Sequence, residues 1–194
     1  MSGSIQLSHV RRVLAAAPPR TALERARQAA VAIVLAPSGQ LRDALSVLLV
    51  RRSEREGDPW SGHMALPGGN AERSDVDLLH TARRETLEEV GIDLSDAELL
   101  GPLDDVSPMR SSELAVRPFV FAIASERAVT LSEELAEALW VSLDSLASGA
   151  LKSTTEVTVR GATLRVPAHV IEQRVVWGMT FHLLERFLSE VAER

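Results

Sequence analysis

The sequence contains no cysteine. This excludes disulfides, zinc–thiolate sites and thiol nucleophiles, and it fits a cytoplasmic protein. Aromatic residues make up only 4 % of the chain, so a core must be built mostly from Leu, Val, Ala and Ile. No apolar run approaches the ~20 residues that span a bilayer. Met1 to Val10 also lacks a basic region followed by an apolar stretch, so neither a signal peptide nor a membrane partner is expected. Positive charge is in deficit, with 21 Lys and Arg against 27 Asp and Glu and a net charge of −6. That balance argues against a general grip on nucleic-acid backbones. It leaves room for a small phosphate-bearing molecule, because a bound divalent cation changes the local sign of the field.

What is present is a chain of 194 residues, 45 % apolar and 25 % charged, which suits one α/β domain and is marginal for two. No internal repeat or low-complexity linker divides it. The expectation is a single domain over residues 1–194, with 1–28 as an N-terminal helical extension. Ile5, Val10, Val13 and Leu14 recur at helical spacing and the pattern stops at Pro18-Pro19. The apolar, partly β-branched runs Ala30–Ala36 and Leu45–Arg51 flank Pro37-Ser38-Gly39 and predict a hairpin with a long loop. A turn-rich stretch from Gly57 to Gly69 precedes a helix, for which Ser74 and Asp77 suggest a capping box, Leu79, Ala82, Thr86 and Val90 a buried face, and Gly91 a left-handed C-cap. Ala115–Ala124 reads as a strand with Pro118 at an edge or bulge. Ser132–Leu139 reads as a short acidic helix or loop running into Trp140-Val141. Thr154–Pro167 predicts a hairpin turning at Arg160-Gly161, and His169–Ala192 a long amphipathic helix.

The chemistry concentrates in Leu66-Pro67-Gly68-Gly69 and in Arg84-Glu85-Thr86-Leu87-Glu88-Glu89-Val90-Gly91-Ile92. Residues three and four apart share a helix face, so Glu85, Glu88 and Glu89 project in nearly one direction. Carboxylates that close raise one another's pKa unless a cation sits among them. Mg²⁺ suits such a site, since it takes hard oxygen ligands and combines carboxylates with substrate phosphates. Arg84 is placed to orient a carboxylate, and the glycine pair lets backbone approach a ligand closely. A Glu-rich helical turn by itself is usually a solvated face. Its conjunction with Arg84, Gly91 and an upstream Pro-Gly-Gly favours the metal.

These residues resemble the Nudix box: Gly, five residues, Glu, seven residues, then Arg-Glu-apolar-x-Glu-Glu-x-Gly-apolar. Arg84 to Ile92 match it throughout, except that Thr86 holds an apolar position. Counting from Gly69, Asp75 stands where the pattern has Glu, and Arg84 arrives one residue late. The extra residue is similar to the coenzyme A pyrophosphatase branch. So are Leu48 to Ser53, with Val50 for Thr, and Gly62 with Leu66 to Gly69, with Leu66 for Phe; the spacing between them is one residue longer, leaving Arg55 as a displaced counterpart of that signature's Arg. Val116 to Val120, Glu134 through Trp140 to Leu143, and Val176 to Thr180 in the last helix extend the likeness over most of residues 30–188.

The resemblance implies an α/β Nudix fold, a mixed β-sheet sandwiched between helices (α/β/α sandwich). It implies hydrolysis of a pyrophosphate bond in a small nucleotide-linked substrate, with coenzyme A or a derivative favoured. Alternatives are a pyrophosphatase for ordinary or damaged nucleoside triphosphates or ADP-ribose, and a non-catalytic nucleotide-sensing module. Glu85, Glu88 and Glu89 with the Gly69 carbonyl would hold Mg²⁺ or Mn²⁺, and Arg84 would fix a carboxylate. The general base would be a box glutamate or Glu134, which otherwise is a solvated member of an acidic run with Glu133 and Glu137. Gly68 is a substrate contact in this reading. Arg51, Arg52 and Arg55 are candidates for substrate phosphates, as are Arg110 and Arg117, because guanidinium groups bind phosphate oxygens in pairs. Trp60 is a candidate to stack on a base or to anchor its loop. Trp177 and His63 read as structural. A homodimer is left open, with the first or last helix as its interface.

Overall fold

The computed structural model describes residues 4–16, 27–38, 44–57, 60–107, 113–159 and 161–192. Pro18-Pro19, Arg110 and Arg160 lie outside these. In chain order the elements are α1 (Leu7–Ala16), β1 (Arg27–Pro37), β2 (Leu45–Arg52), β3 (Met64–Ala65), β4 (Gly68–Asn70), α2 (Leu78–Val90) and β5 (Glu98–Pro102). They continue with β6 (Leu114–Ala122), β7 (Leu135–Ser142), α3 (Leu143–Ala147), β8 (Lys152–Val159), β9 (Ala162–Ile171), β10 (Arg174–Trp177) and α4 (Gly178–Ala192).

Seven strands form one mixed sheet. Its path runs β3-β2-β1-β6-β5, with β4 on β1 and β7 on β2. β1 and β6 are parallel, and the other pairs are antiparallel. Alternation along the strands sorts the core into two layers. Ile33, Leu35, Val47, Leu49 and Val120 face α1, α3 and α4 through Val10, Leu143, Leu146, Leu184 and Phe187. Ala32, Val34, Leu48, Val50, Phe119 and Phe121 face α2 through Leu78, Ala82 and Val90. Helices on both faces account for the unbroken apolar runs of β1 and β2, and the small Ala30, Ala32 and Ala36 of β1 occupy the face that α2 covers. The expected α/β sandwich is present. β8, β9 and β10 make a second, antiparallel sheet. Among the described residues no helix is long and apolar enough to cross a membrane.

Four sequence expectations are corrected. The cap of α2 is Asp77, which accepts from the His80 N–H; Ser74 instead reaches toward Glu72. Ser132–Leu139 is not a helix: β7 begins at Leu135 and pairs with β2, Leu48 opposite Trp140, so cross-strand pairing overrides the acidic composition. The last helix begins at Gly178, and Ala168 to Trp177 instead form the β9–β10 hairpin, with β-branched Val170, Val175 and Val176 in its strands. Val176 and Trp177 therefore precede that helix. Pro118 lies in an interior strand, where the β5 ladder has ended at Pro102 opposite Phe119 and before the bridge of Val106 to Val116. Its missing N–H falls in that gap, and its carbonyl accepts from Leu103 N–H at 2.9 Å.

Candidate active site

α2 begins at the Asp77 cap and ends on Gly91, whose φ of 69° is left-handed and whose N–H donates to the Leu87 carbonyl. Between them, Thr86 and Ala82 bury one face, Glu85 and Glu89 meet the Pro67-Gly68-Gly69 loop, and Glu88 projects to Arg84. The loop is fastened to β1: Pro67 O accepts from Ala32 N–H at 2.8 Å, and Gly68 and Gly69 stand opposite Val31 and Ala30. Here the two glycines differ in what a side chain would meet. Gly68 has φ 146°, and a Cβ there would overlap the Ala30 carbonyl and lie 2.6 Å from Val31 Cα; at Gly69 a Cβ would run into the Glu85 carboxylate, 2.5 Å from its Cδ.

The three glutamates differ sharply in depth. Glu89 is buried, at 7 % exposure, and its Oε2 accepts from the Gly68 N–H at 2.9 Å. Burial pushes its carboxyl up to about 7, opposed by the Gly68 hydrogen bond and the charge of Arg52 and reinforced by Glu85 and Glu134. Glu85 is half-buried and also shifted upward, again chiefly by burial, against the pull of Arg84. Glu88 has a 58 % exposed side chain and is drawn to Arg84.

Arg84 is the hub. It donates from Nε and Nη2 to the two oxygens of Asp75 at 2.9 and 3.0 Å, from Nη1 to Glu88 at 2.9 Å, and from Nη2 to the Asn70 carbonyl at 3.2 Å. Its Nη1 also stands 3.1 Å from Glu85 Oε1. Asp75, its side chain only 2 % exposed, further accepts from Glu72 N–H and Thr81 O–H and is hydrogen-bonded to the His80 ring. Arg84 above all holds the Asp75 carboxyl far below the usual range. Sequence spacing singled out Asp75 as a position but missed its duty, and missed Thr81, His80 and Asn70. The signal was there in Thr81, one turn past the Asp77 cap.

Among the described residues no three His, Asp or Glu side chains stand together as a ready-made ligand array. Arg84 Nη1 stands between Glu88 and Glu85, 2.9 and 3.1 Å away, while Glu89 is held at the Gly68 N–H. The donor set nevertheless fits a hard divalent cation. Two carboxylates are withdrawn from water with their pKa values raised, the third is surface-held by a weak tie, and the loop backbone lies against them.

The other candidates scatter. Glu134 is exposed, and its carbonyl is tied to Ser53 N–H; its charge reaches Glu89. Arg52 also acts on Glu89, but Arg51 is turned to Glu137, 3.4 Å away, which Arg174 grips with two nitrogens. Arg55 is exposed beside Glu134 and the Glu133 carbonyl. Arg117 is bidentate to Asp105 at 2.7 and 2.9 Å. Trp60 is half exposed and contacts the rings of His63 and Trp177.

A family model described as the NUDIX domain matches residues 25–160. The human mitochondrial coenzyme A diphosphatase NUDT8 is 32 % identical over 185 residues, covering 94 % of this chain and 76 % of that protein. An uncharacterized protein of Schizosaccharomyces pombe is 57 % identical over 61 residues; these cover 30 % of this chain but only 18 % of that protein. A solved MutT/nudix family protein from Enterococcus faecalis superposes with a TM-score of 0.59 at 17 % identity, over 97 % of this chain and 70 % of that one. That likeness is one of fold.

Proposed function

The chain belongs to the Nudix hydrolase family, and from that premise we propose that it hydrolyses the pyrophosphate bond of a nucleotide-linked diphosphate, with coenzyme A or a derivative as favoured substrate. The observation that carries the reading is the seating of Glu89 on Gly68 and of Glu85 against Gly69, which keeps two carboxylates at one loop in spite of their burial. The similarity to a coenzyme A diphosphatase over nearly the whole chain supports the substrate choice.

Nudix hydrolases generally use divalent metal ions. In this reading Glu85, Glu88 and Glu89 with the Gly69 carbonyl would hold Mg²⁺ or Mn²⁺. When bound, such an ion polarises the phosphoryl group and lowers the pKa of a coordinated water. Arg84, anchored by Asp75, sets the rotamers of Glu85 and Glu88. Glu89 spends Oε2 on the Gly68 N–H and keeps Oε1 to take a proton from the attacking water. Glu134, at the rim, is the second candidate for that proton. Arg52 offsets charge at Glu89 and is the arginine of its segment best sited to meet a substrate phosphate.

Incubation with coenzyme A, ADP-ribose and ordinary and damaged nucleoside triphosphates, under Mg²⁺ and under Mn²⁺, tests this by product analysis. Phosphopantetheine and adenosine 3′,5′-bisphosphate are expected from coenzyme A. Much faster cleavage of another compound ends the coenzyme A version. Tight binding without hydrolysis of any of them ends the enzymatic one.

A further inference from the structure

The chain has three tryptophans, and two of them meet at one spot far along the sequence from each other. Trp60 and Trp177 have ring centroids 6.3 Å apart at 40°, and His63 stands edge-on to both, 5.9 Å from Trp60 and 5.0 Å from Trp177. The three are not equally buried. Trp177 ends β10 opposite the fully buried Ala168 and is half-buried, as is His63, whereas Trp60 remains 51 % exposed. A large apolar ring left half in water, yet braced from behind by two fixed rings, is a prepared surface rather than a loop side chain adrift. The Trp60 carbonyl accepts from His63 N–H at 3.2 Å, and Ser61 Oγ accepts from Arg55 N–H at 2.7 Å, so the segment is tied at both sides of the ring.

The ring cluster is linked to the carboxylates through Arg52. The His63 carbonyl accepts from Arg52 N–H at 3.0 Å, and Arg52 acts on Glu89. From His63 the chain runs through β3 to Gly68, the donor to Glu89, five residues on. Fully extended, that is at most about 18 Å, so the ring cluster and the Gly68 donor stand on one short segment. A planar heterocycle with phosphates attached matches both ends. Its base has a π-face for an indole, and its phosphates suit the guanidinium of Arg52, whose charge is felt at Glu89.

We propose that Trp60, backed by His63 and Trp177, is the stacking platform for the heterocyclic base of the substrate. The enzyme thereby selects diphosphates that carry a base over those that do not. This rests on the hydrolase reading for its kinetic arm only; the binding arm is independent of catalysis.

For the binding arm, ADP and inorganic pyrophosphate are each titrated in EDTA into the full chain, with tryptophan emission as readout. ADP is expected to quench emission and pyrophosphate to leave it unchanged. Trp60→Ala should weaken ADP binding by roughly 5- to 150-fold, the range expected for one stacked base. Trp60→Phe should retain most of the affinity, and His63→Ala should fall between. For the kinetic arm, Trp60→Ala should raise KM for the base-bearing substrate by a similar factor, with kcat following only weakly. Circular dichroism and the thermal midpoint establish that each variant is folded. Equal ADP affinity in wild type and folded Trp60→Ala, or equal quenching by pyrophosphate, overturns the platform and leaves the hydrolase reading standing. Base-dependent quenching lost in Trp60→Ala, in a chain that hydrolyses nothing, sustains the platform and removes the hydrolase.

Discussion

The backbone N–H of Gly68 donates to Oε2 of Glu89 at 2.9 Å, joining a strand-bound loop to the last turn of α2 across twenty-one residues. This one bond fixes which of the three glutamates is buried. Glu85 and Glu88 precede Glu89 at helical spacing; Glu85 lies half-buried against Gly69, Glu88 stays exposed, and only Glu89 accepts a hydrogen bond from the loop.

Glu89→Gln keeps the volume and one acceptor oxygen but removes the charge and the proton-accepting capacity. Turnover should fall roughly 100-fold or more, the scale of a lost general base, while the thermal midpoint holds or rises because a buried charge has gone. Product release at saturating Mg²⁺ is the measurement. A near-wild-type rate takes Glu89 out of the chemistry.

The two loop glycines should fail in different ways. At Gly68 an added methyl meets backbone, the Ala30 carbonyl and Val31 Cα, at a positive φ. Gly68→Ala is therefore expected to destabilise the fold by several kcal/mol (strained φ alone costs about 1–3) and to lower the melting midpoint or the soluble yield. At Gly69 the methyl meets only the Glu85 carboxylate, the movable end of a side chain. Gly69→Ala should melt within a few degrees of wild type yet lose activity through a displaced Glu85. Equal melting losses in both would contradict this division.

Much of this was legible in the sequence, and the failures share one cause. β1 and β2 announced themselves because both faces are covered, leaving no polar residues to blur the runs. α2 was bounded by Gly91 and placed its glutamates by spacing. β7 was misread because Glu133, Glu134 and Glu137 look helical or looped, and its strand state comes from β2, more than eighty residues earlier. The β9–β10 turn uses Glu172 at φ 55° with Gln173, so no glycine or proline marked it. Spacing set three acids on one face but could not rank their depth, since depth comes from the Gly68 loop and Arg84's choice of partner from Asp75. Arg51 and Arg52 are neighbours in sequence, yet Arg51 pairs with Glu137 while the charge of Arg52 is felt at Glu89, a division that no composition reveals.

Asp75→Asn tests the Arg84 hub. The substitution removes a charge that is almost fully enclosed and leaves Arg84 leaning on Glu85, Glu88 and the Asn70 carbonyl. Removing one partner of a buried pair costs about 3–5 kcal/mol. Arg84 retains other acceptors and some water contact, so about 2–4 kcal/mol is expected. That corresponds to a midpoint lower by roughly 5–15 °C for a chain of this size, read from a thermal melt at pH 7. A shift below about 1 °C would show the clamp to be dispensable.

The pH dependence of the metal-free protein follows from the sign of the Glu89 shift. Its folded pKa of about 7 lies above the ordinary 4.5, so between those values the folded chain holds a proton that the unfolded chain has lost. The associated stability is fully present below about 4.5, declines as pH rises towards 7, and is gone above it. The total is on the order of 3 kcal/mol. Glu85 moves in the same direction. Asp75 has the opposite sign, but its effect falls below its ordinary 3.8, outside the window. Thermal midpoints in EDTA should therefore drop from pH 5 to pH 8 more in wild type than in Glu89→Gln. Added Mn²⁺ should reverse the trend, because the ion binds the deprotonated carboxylates and the proton no longer competes at high pH. The Mn²⁺-induced rise in midpoint should be larger at pH 8 than at pH 5.5. A rise of equal size at both would mean that the ion binds without displacing protons, which a buried, half-protonated Glu89 does not allow.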